Sequence, residues 1–174
     1  QAMDLELTGK VAIVTGGSRG IGKAVAQALA REGADVSLIA RDLPAANATA
    51  EEIARNSQRR IAAYAADTGD DAAVKSAVSQ IAEDFGRIDI LVNAAAQPGG
   101  QSRPPRLAEI TNDHFWVDMN VKVMGYLRCA REVAPYMTRQ GWGRIVNLSG
   151  LAARQTGSTI GTIRNVSVAA LTKS

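Results

Sequence analysis

Eight consecutive residues, Thr15-Gly16-Gly17-Ser18-Arg19-Gly20-Ile21-Gly22, constrain this 174-residue chain more than any other segment. They follow directly on Val11-Ala12-Ile13-Val14, a short run with the β-branched residues of a buried strand. Beyond them Ile21, Val25 and Leu29 recur at helical spacing through alanine-rich sequence. A strand that passes through a glycine turn into a helix aims main-chain N–H groups and the positive end of the helix dipole at an anion. Gly16 permits a tight turn, Gly20 lets a phosphate approach the main chain, and Gly22 lets helix and strand pack closely. Thr15, Ser18, Arg19 and Ile21 fall between and beside these glycines, so the expected ligand is a nucleotide held by its phosphates.

Two chemistries fit such a loop. Residues 17–24 nearly spell the nucleoside-triphosphate loop, G-x-x-x-x-G-K-[ST], but the last position is Ala24, which has no hydroxyl for Mg²⁺. The spacing Gly16-x-x-x-Gly20-x-Gly22 instead suits a dinucleotide, and this is the reading adopted. A hydrophobic share of 46% with 21% charged residues belongs to an ordinary globular domain, and the length fits one domain over 1–174. The net charge of +3 is scattered rather than gathered into basic runs with interleaved aromatics, which argues against nucleic acid as a partner. No apolar run has the length of a membrane span. Cys129 stands alone, no metal-ligand cluster is evident, and no leader is recognisable, so a cytoplasmic protein without a metal site is expected.

Strand and helix signals alternate along the chain. Strands are predicted over 35–40, 61–66, 88–92 and 144–148, and helices over 44–55, 74–85, 112–139 and 158–174, with a Gly- and Pro-rich loop over 97–105. Alternation of this kind implies right-handed crossovers and a parallel sheet covered on both faces. Ligands then bind at the carboxyl ends of the strands. Thr15, Ala40, Asp67, Asn93 and Ser149 all lie just past predicted strand ends and should converge on one edge.

In order and spacing, Thr15-Gly16-x-x-x-Gly20-x-Gly22, Asp67, Asn93-Ala94-Ala95-Ala96, Asn120 and Ser149 resemble the short-chain dehydrogenases/reductases, over residues 7–173. The resemblance implies an α/β fold, a single Rossmann-like doubly wound parallel sheet in strand order 3-2-1-4-5. It also implies hydride exchange between a nicotinamide coenzyme and a small-molecule carbonyl or alcohol. It places Asp67 at the adenine ring and gives Asn93, Ala94 and Ala95 the task of steadying the central strands and lining the coenzyme. The family usually reads N-N-A-G where this chain has Asn93-Ala94-Ala95-Ala96, so one amide and one glycine are missing. An acidic residue at the end of the second strand would bind a free ribose 2′-OH and repel a 2′-phosphate. Here Ala40 and Arg41 stand there, with Arg19 in the loop, and two guanidinium forks suit a phosphate. NADP(H) is therefore the preferred cofactor. NAD(H) is the alternative, because a shift of one residue would bring the carboxylate of Asp42 to the ribose.

The catalytic end departs from the family pattern, which has a Ser, then a Tyr twelve or thirteen residues on, then a Lys four beyond the Tyr. Ser149 matches the serine. The tail Val168-Ala169-Ala170-Leu171-Thr172-Lys173 fixes a register that puts Gly161 at the tyrosine position and Asn165 at the lysine position; with the longer spacing the pair would be Thr162 and Val166. No tyrosine follows Tyr136, and Lys173 is the only lysine after Ser149. A proton-transfer site of reduced competence is expected, with Thr159, Thr162, Tyr126, Lys122 or an ordered water as substitutes among which the sequence does not choose. Asn120 corresponds to an asparagine that anchors a water near the family's lysine; without that partner, a kink in the long helix and a polar relay are both open roles. Relatives of this kind continue for about another third of their length, so the sheet is expected to be incomplete at its C-terminal side. A homo-oligomer, dimer or tetramer, is expected from kinship. An NADP(H)-binding sensor or inert oligomer partner is the alternative to an enzyme.

Overall fold

The five residues of β1 (Val11–Thr15) are buried throughout, and this apolar strand forms the centre of the sheet. The computed structural model describes residues 4–96 and 103–173. In chain order the elements are β1, α1 (Gly20–Arg31), β2 (Asp35–Ala40), α2 (Leu43–Ser57), β3 (Ile61–Ala65), α3 (Asp71–Phe85), β4 (Ile90–Asn93), α4 (Asn112–Met119), α5 (Gly125–Gln140), β5 (Arg144–Asn147) and α6 (Thr159–Leu171). All strand pairs are parallel, in the order β3-β2-β1-β4-β5, as the alternation predicts. Of the loop predicted over 97–105, the first six residues lie outside the described residues, as does Ser174.

Successive side chains of a strand point to opposite faces, and both faces here are apolar. Ile13, Ile39 and Leu91 pack with Val74, Ile81, Cys129 and Val133 beneath α3 and α5. Ala12, Val14, Val36, Leu38 and Val92 pack with Ala26, Ala30 and Ile53 beneath α1 and α2. Small residues on α1 let it lie close to the sheet, and Lys23 and Gln27 tie it to α2 through the carboxylate of Glu52, at 2.7 and 3.2 Å.

Element ends shift from expectation by up to a few residues, and two departures have identifiable reasons. β4 begins at Ile90 rather than at residue 88 because the Gln140 side chain takes the main chain of Ile88, accepting from its N–H at 3.2 Å and donating to its carbonyl at 2.8 Å. The helix predicted over 112–139 is continuous but widens into a π turn at Asn120–Met124. There the Gly125 N–H reaches the carbonyl of Asn120, five residues back. Arg128 holds the widened turn: it donates to the Asn120 carbonyl (3.0 Å), to Asn120 Oδ1 (2.7 Å) and to the Thr68 carbonyl (3.3 Å), and pairs with Asp71 at 2.9 Å. His114 helps to cap α4, its Nδ1 accepting from the N–H of Thr111 at the start of the helix.

Candidate functional site

At the carboxyl edge of the sheet, β1 and β4 are joined by one hydroxyl. Thr15 Oγ1 is buried and accepts from the N–H groups of Ala94 (3.0 Å) and Ala95 (3.1 Å). The hydroxyl of Thr15 thus braces the turn after β4 from below. The Gly16 N–H donates to the Ile39 carbonyl at 2.8 Å, and a Cβ on Gly16 would lie 3.0 Å from the Ala95 Cα. Glycine is therefore required where the loop crosses the end of β4, and Gly16 has a φ of +68° besides.

The outer side of the loop is open. Gly20, with a φ of +56°, has nothing within 4 Å of where its Cβ would be. Helix α1 starts there with Arg19 as its N-cap and no side-chain cap, which leaves its first-turn N–H groups facing outward. Gly22 faces the other way: a Cβ there would collide with the Gly16 carbonyl oxygen and sit 2.8 Å from the Gly16 carbonyl carbon. Ser18 contributes its carbonyl to Thr49 Oγ1, which donates at 2.9 Å and pins the loop to α2. Ile21 is 68% exposed at the rim. An open cradle of main-chain donors at a helix N-terminus, walled by an apolar side chain, fits the diphosphate of a dinucleotide.

Around this cradle, Arg19 and Arg41 are exposed. Asp42 caps α2, one of its carboxylate oxygens accepting from the Ala45 N–H at 3.0 Å. Asp67 is exposed past the end of β3, and one carboxylate oxygen accepts from the Gly69 N–H at 2.8 Å. Asn93 is fully buried and bonds Asn147 Oδ1 across β4 and β5 at 2.9 Å, while its own Oδ1 has no partner among the described residues.

The residues expected to do chemistry are brought together only in part. Ser149 lies exposed beyond β5, and its hydroxyl donates to the main-chain carbonyl of Asn165 at 2.9 Å. Gly161 and Asn165 sit one turn apart on α6, both buried. Asn165 is only 2% exposed; its Nδ2 donates to the Gly161 carbonyl at 2.8 Å and its Oδ1 accepts from Lys122 Nζ at 3.0 Å. Its amide is thus engaged inside the protein. Asn120 is not part of this group: its amide bridges the Gly69 carbonyl (3.1 Å) and Arg128. Lys122, two residues on, reaches the site instead, donating to the Ser149 carbonyl at 3.1 Å.

Of the substitutes considered from sequence, Tyr126 is buried with its hydroxyl on the Leu148 carbonyl at 3.1 Å, and burial raises its pKa. For Lys122, burial and then the charge of Arg164 lower the pKa to about 8, against the opposing pull of Asp118. A signal for this lysine existed in the sequence. Tyr126, Cys129, Val133 and Met137 form a buried stripe at three- and four-residue spacing, and Lys122 lies four residues before its first member. Among the described residues no group of three or more His, Cys, Asp or Glu is placed to hold a metal ion, and no helix is long and apolar enough to cross a membrane.

Comparison with known proteins adds to this geometry. A family model described as short chain dehydrogenase matches residues 10–162. The short-chain reductase protein NovJ of Streptomyces niveus is 40% identical over 144 residues, which are 83% of this chain and 53% of that protein. The chain therefore spans about half the length of that relative. Among solved structures, an NAD⁺-bound xylitol dehydrogenase aligns with a TM-score of 0.89 and 28% identity, over 97% of this chain and 64% of that one. The L-sorbose reductase of Gluconobacter frateurii, complexed with NADPH and L-sorbose, aligns with a TM-score of 0.86 and 32% identity, over 98% of this chain and 63% of that one.

Proposed function

The chain belongs to the short chain dehydrogenase family, and on that footing we propose that it is part of an NADP(H)-dependent oxidoreductase acting on a carbonyl or alcohol, with an altered proton-transfer site. The observation that carries the reading is the glycine loop, closed inward by Gly22 against Gly16 and open outward at Gly20 over an uncapped helix N-terminus. When bound, NADP(H) supplies the hydride. The chain's own residues do the rest. The main chain of residues 16–22 holds the diphosphate, Asp67 meets the adenine with the carboxylate oxygen that Gly69 leaves free, and Ser149 orients the substrate oxygen. Two relatives are named for xylitol and L-sorbose, which makes a small polyol or ketone the proposed substrate class. Exposed Trp116, Val117, Leu127, Ile163 and Val166 on α4, α5 and α6 supply the apolar surface for the proposed dimer or tetramer.

The preference for NADP(H) over NAD(H) rests on Arg41 and Arg19. Both guanidinium groups are exposed and suit a ribose 2′-phosphate, while Asp42 gives one carboxylate oxygen to the Ala45 N–H as the N-cap of α2. Fluorescence titration is expected to give tighter binding of NADPH than of NADH. Arg41→Ala should weaken NADPH roughly tenfold, the loss of one charge-assisted hydrogen bond, and leave NADH nearly unchanged. Equal affinities in the unaltered protein would overturn the preference.

A second reading has its own support: Gly161 offers no side chain, and Asn165 is turned into the core. On that basis the chain would bind the coenzyme without turnover, as a sensor or an inert partner in an oligomer. Both readings predict coenzyme binding. Consumption of NADPH with any member of a carbonyl panel selects the enzyme; saturable binding with no consumption selects the sensor.

A further inference from the structure

Lys122 is the one lysine in the interior, 5% exposed, and no carboxylate among the described residues lies within salt-bridge distance of it. Its ammonium has three protons to donate. Two go to neutral acceptors, the Ser149 carbonyl and Asn165 Oδ1. The charged groups packed nearby neutralise each other: Asp118 on α4 accepts from Arg164 on α6 at 2.6 Å. The ammonium lies over the ring of Tyr126 on α5, 6.0 Å from its centroid. A cation buried among carbonyls is costly unless an opposite charge joins it. Lys122 lies within the π turn, four residues before Tyr126, on the inner face that Tyr126 continues.

We propose that Lys122 is the fixed positive charge of the substrate end of this site, placed behind Ser149 and Asn165 to favour the oxyanion that forms as a carbonyl is reduced. This rests on the functional reading above. In that step the hydride adds to the carbonyl carbon, the π electron pair moves to oxygen, and the resulting alkoxide takes a proton from water at the exposed edge by Ser149. Lys122 acts through space as a positioning charge. The same charge repels the cationic nicotinamide ring of NADP⁺ and has no such quarrel with neutral NADPH. Both coenzymes carry the same phosphates, so the titration of those groups cancels in the ratio of their affinities.

The test is therefore the ratio Kd(NADP⁺)/Kd(NADPH), measured by calorimetry from pH 6.5 to 9.5. Its sign follows from the amine. Below about 8 the ammonium is charged and NADP⁺ is disfavoured; above it the amine is neutral and the ratio falls. A fall of about fivefold or more is expected in the unaltered protein, given the strength of a charge pair at an effective dielectric near 20. In Lys122→Met the ratio should be low and flat with pH, and in Lys122→Arg it should stay high throughout. A purely structural lysine would leave the pH dependence unmoved. A flat ratio in the unaltered protein overturns the proposal even if Lys122→Met fails to fold, and so does an unchanged slope in a folded Lys122→Met. Failure of both coenzymes to bind at any pH overturns the functional reading and this proposal with it, and is distinguished from the other failures by the absence of any binding isotherm.

Discussion

Gly22→Ala is expected to abolish useful coenzyme binding while the protein still folds. The added methyl collides with the Gly16 carbonyl oxygen and lies 3.2 Å from Gly17 Cα. Neither neighbour is a flexible side-chain tip, so the loop itself must move. Overpacking of this kind costs about 1–3 kcal/mol. Movement of the loop separates the N–H groups of residues 16–22 from the positions that suit a diphosphate, and a tenfold or larger loss of NADPH affinity follows at about 1.4 kcal/mol per decade. Gly20→Ala is the informative comparison. Nothing lies within 4 Å of the new methyl, and its cost to the fold is the left-handed conformation at φ +56°, about 1–2 kcal/mol. Its methyl would nevertheless stand on the open face where a phosphate approaches. Titration of NADPH against both variants checks the loop; unchanged affinity in Gly22→Ala sinks the site.

Asp89→Ala is expected to be the most damaging single change to stability. Asp89 is fully buried, and its carboxylate accepts from four donors: the Val11 N–H at 2.9 Å, Arg87 Nε at 2.7 Å, Arg87 Nη2 at 2.6 Å and Gln140 Nε2 at 3.4 Å. Its main chain meanwhile accepts from Arg144 and donates to Val11, so it joins β1, β4 and β5 at the amino end of the sheet. Truncation strands a buried N–H at the first residue of the central strand. Together with the lost charge-assisted bonds this amounts to about 2–4 kcal/mol. For a chain of this size the melting temperature should fall by roughly 5–15 °C. Urea titration should show a lower midpoint with an unchanged slope. Asp89→Asn keeps one acceptor and should lose less.

The fold was legible because buried parallel strands leave an unmistakable trace. Val11 to Val14 and Ile90 to Val92 are apolar on both faces, Val36 to Ala40 is so apart from Ser37, and each is followed by small or polar residues that turn the chain. The glycine loop was legible for a similar reason: only glycine tolerates the contacts at Gly16 and Gly22. The substrate end was harder. Helical counting assumes 3.6 residues per turn, and the π turn at Asn120–Met124 breaks that count where Asn120 is tied to Arg128. Nothing in the residues before Asn120 announces the widening. Its cause lies far away in sequence, where the Thr68 carbonyl meets Gly125 and Arg128; a Cβ on Gly125 would be 3.0 Å from that oxygen. A lysine in a helix ordinarily reads as a solvent-facing one, so a buried ammonium is found by tracing the stripe of Tyr126 and Cys129 backwards.

The sheet order has a consequence for biosynthesis. β1 pairs on one side with β2, about twenty residues downstream, and on the other with β4, whose Asn93 comes 78 residues after Thr15. A nascent chain leaving the ribosome can assemble β3, β2 and β1 early, but the second edge of β1 stays bare until β4 emerges. The crevice proposed for the coenzyme lies across that seam, so it is completed only after that late pairing, and a translational pause before Asn93 would hold an adhesive apolar edge open to chaperones.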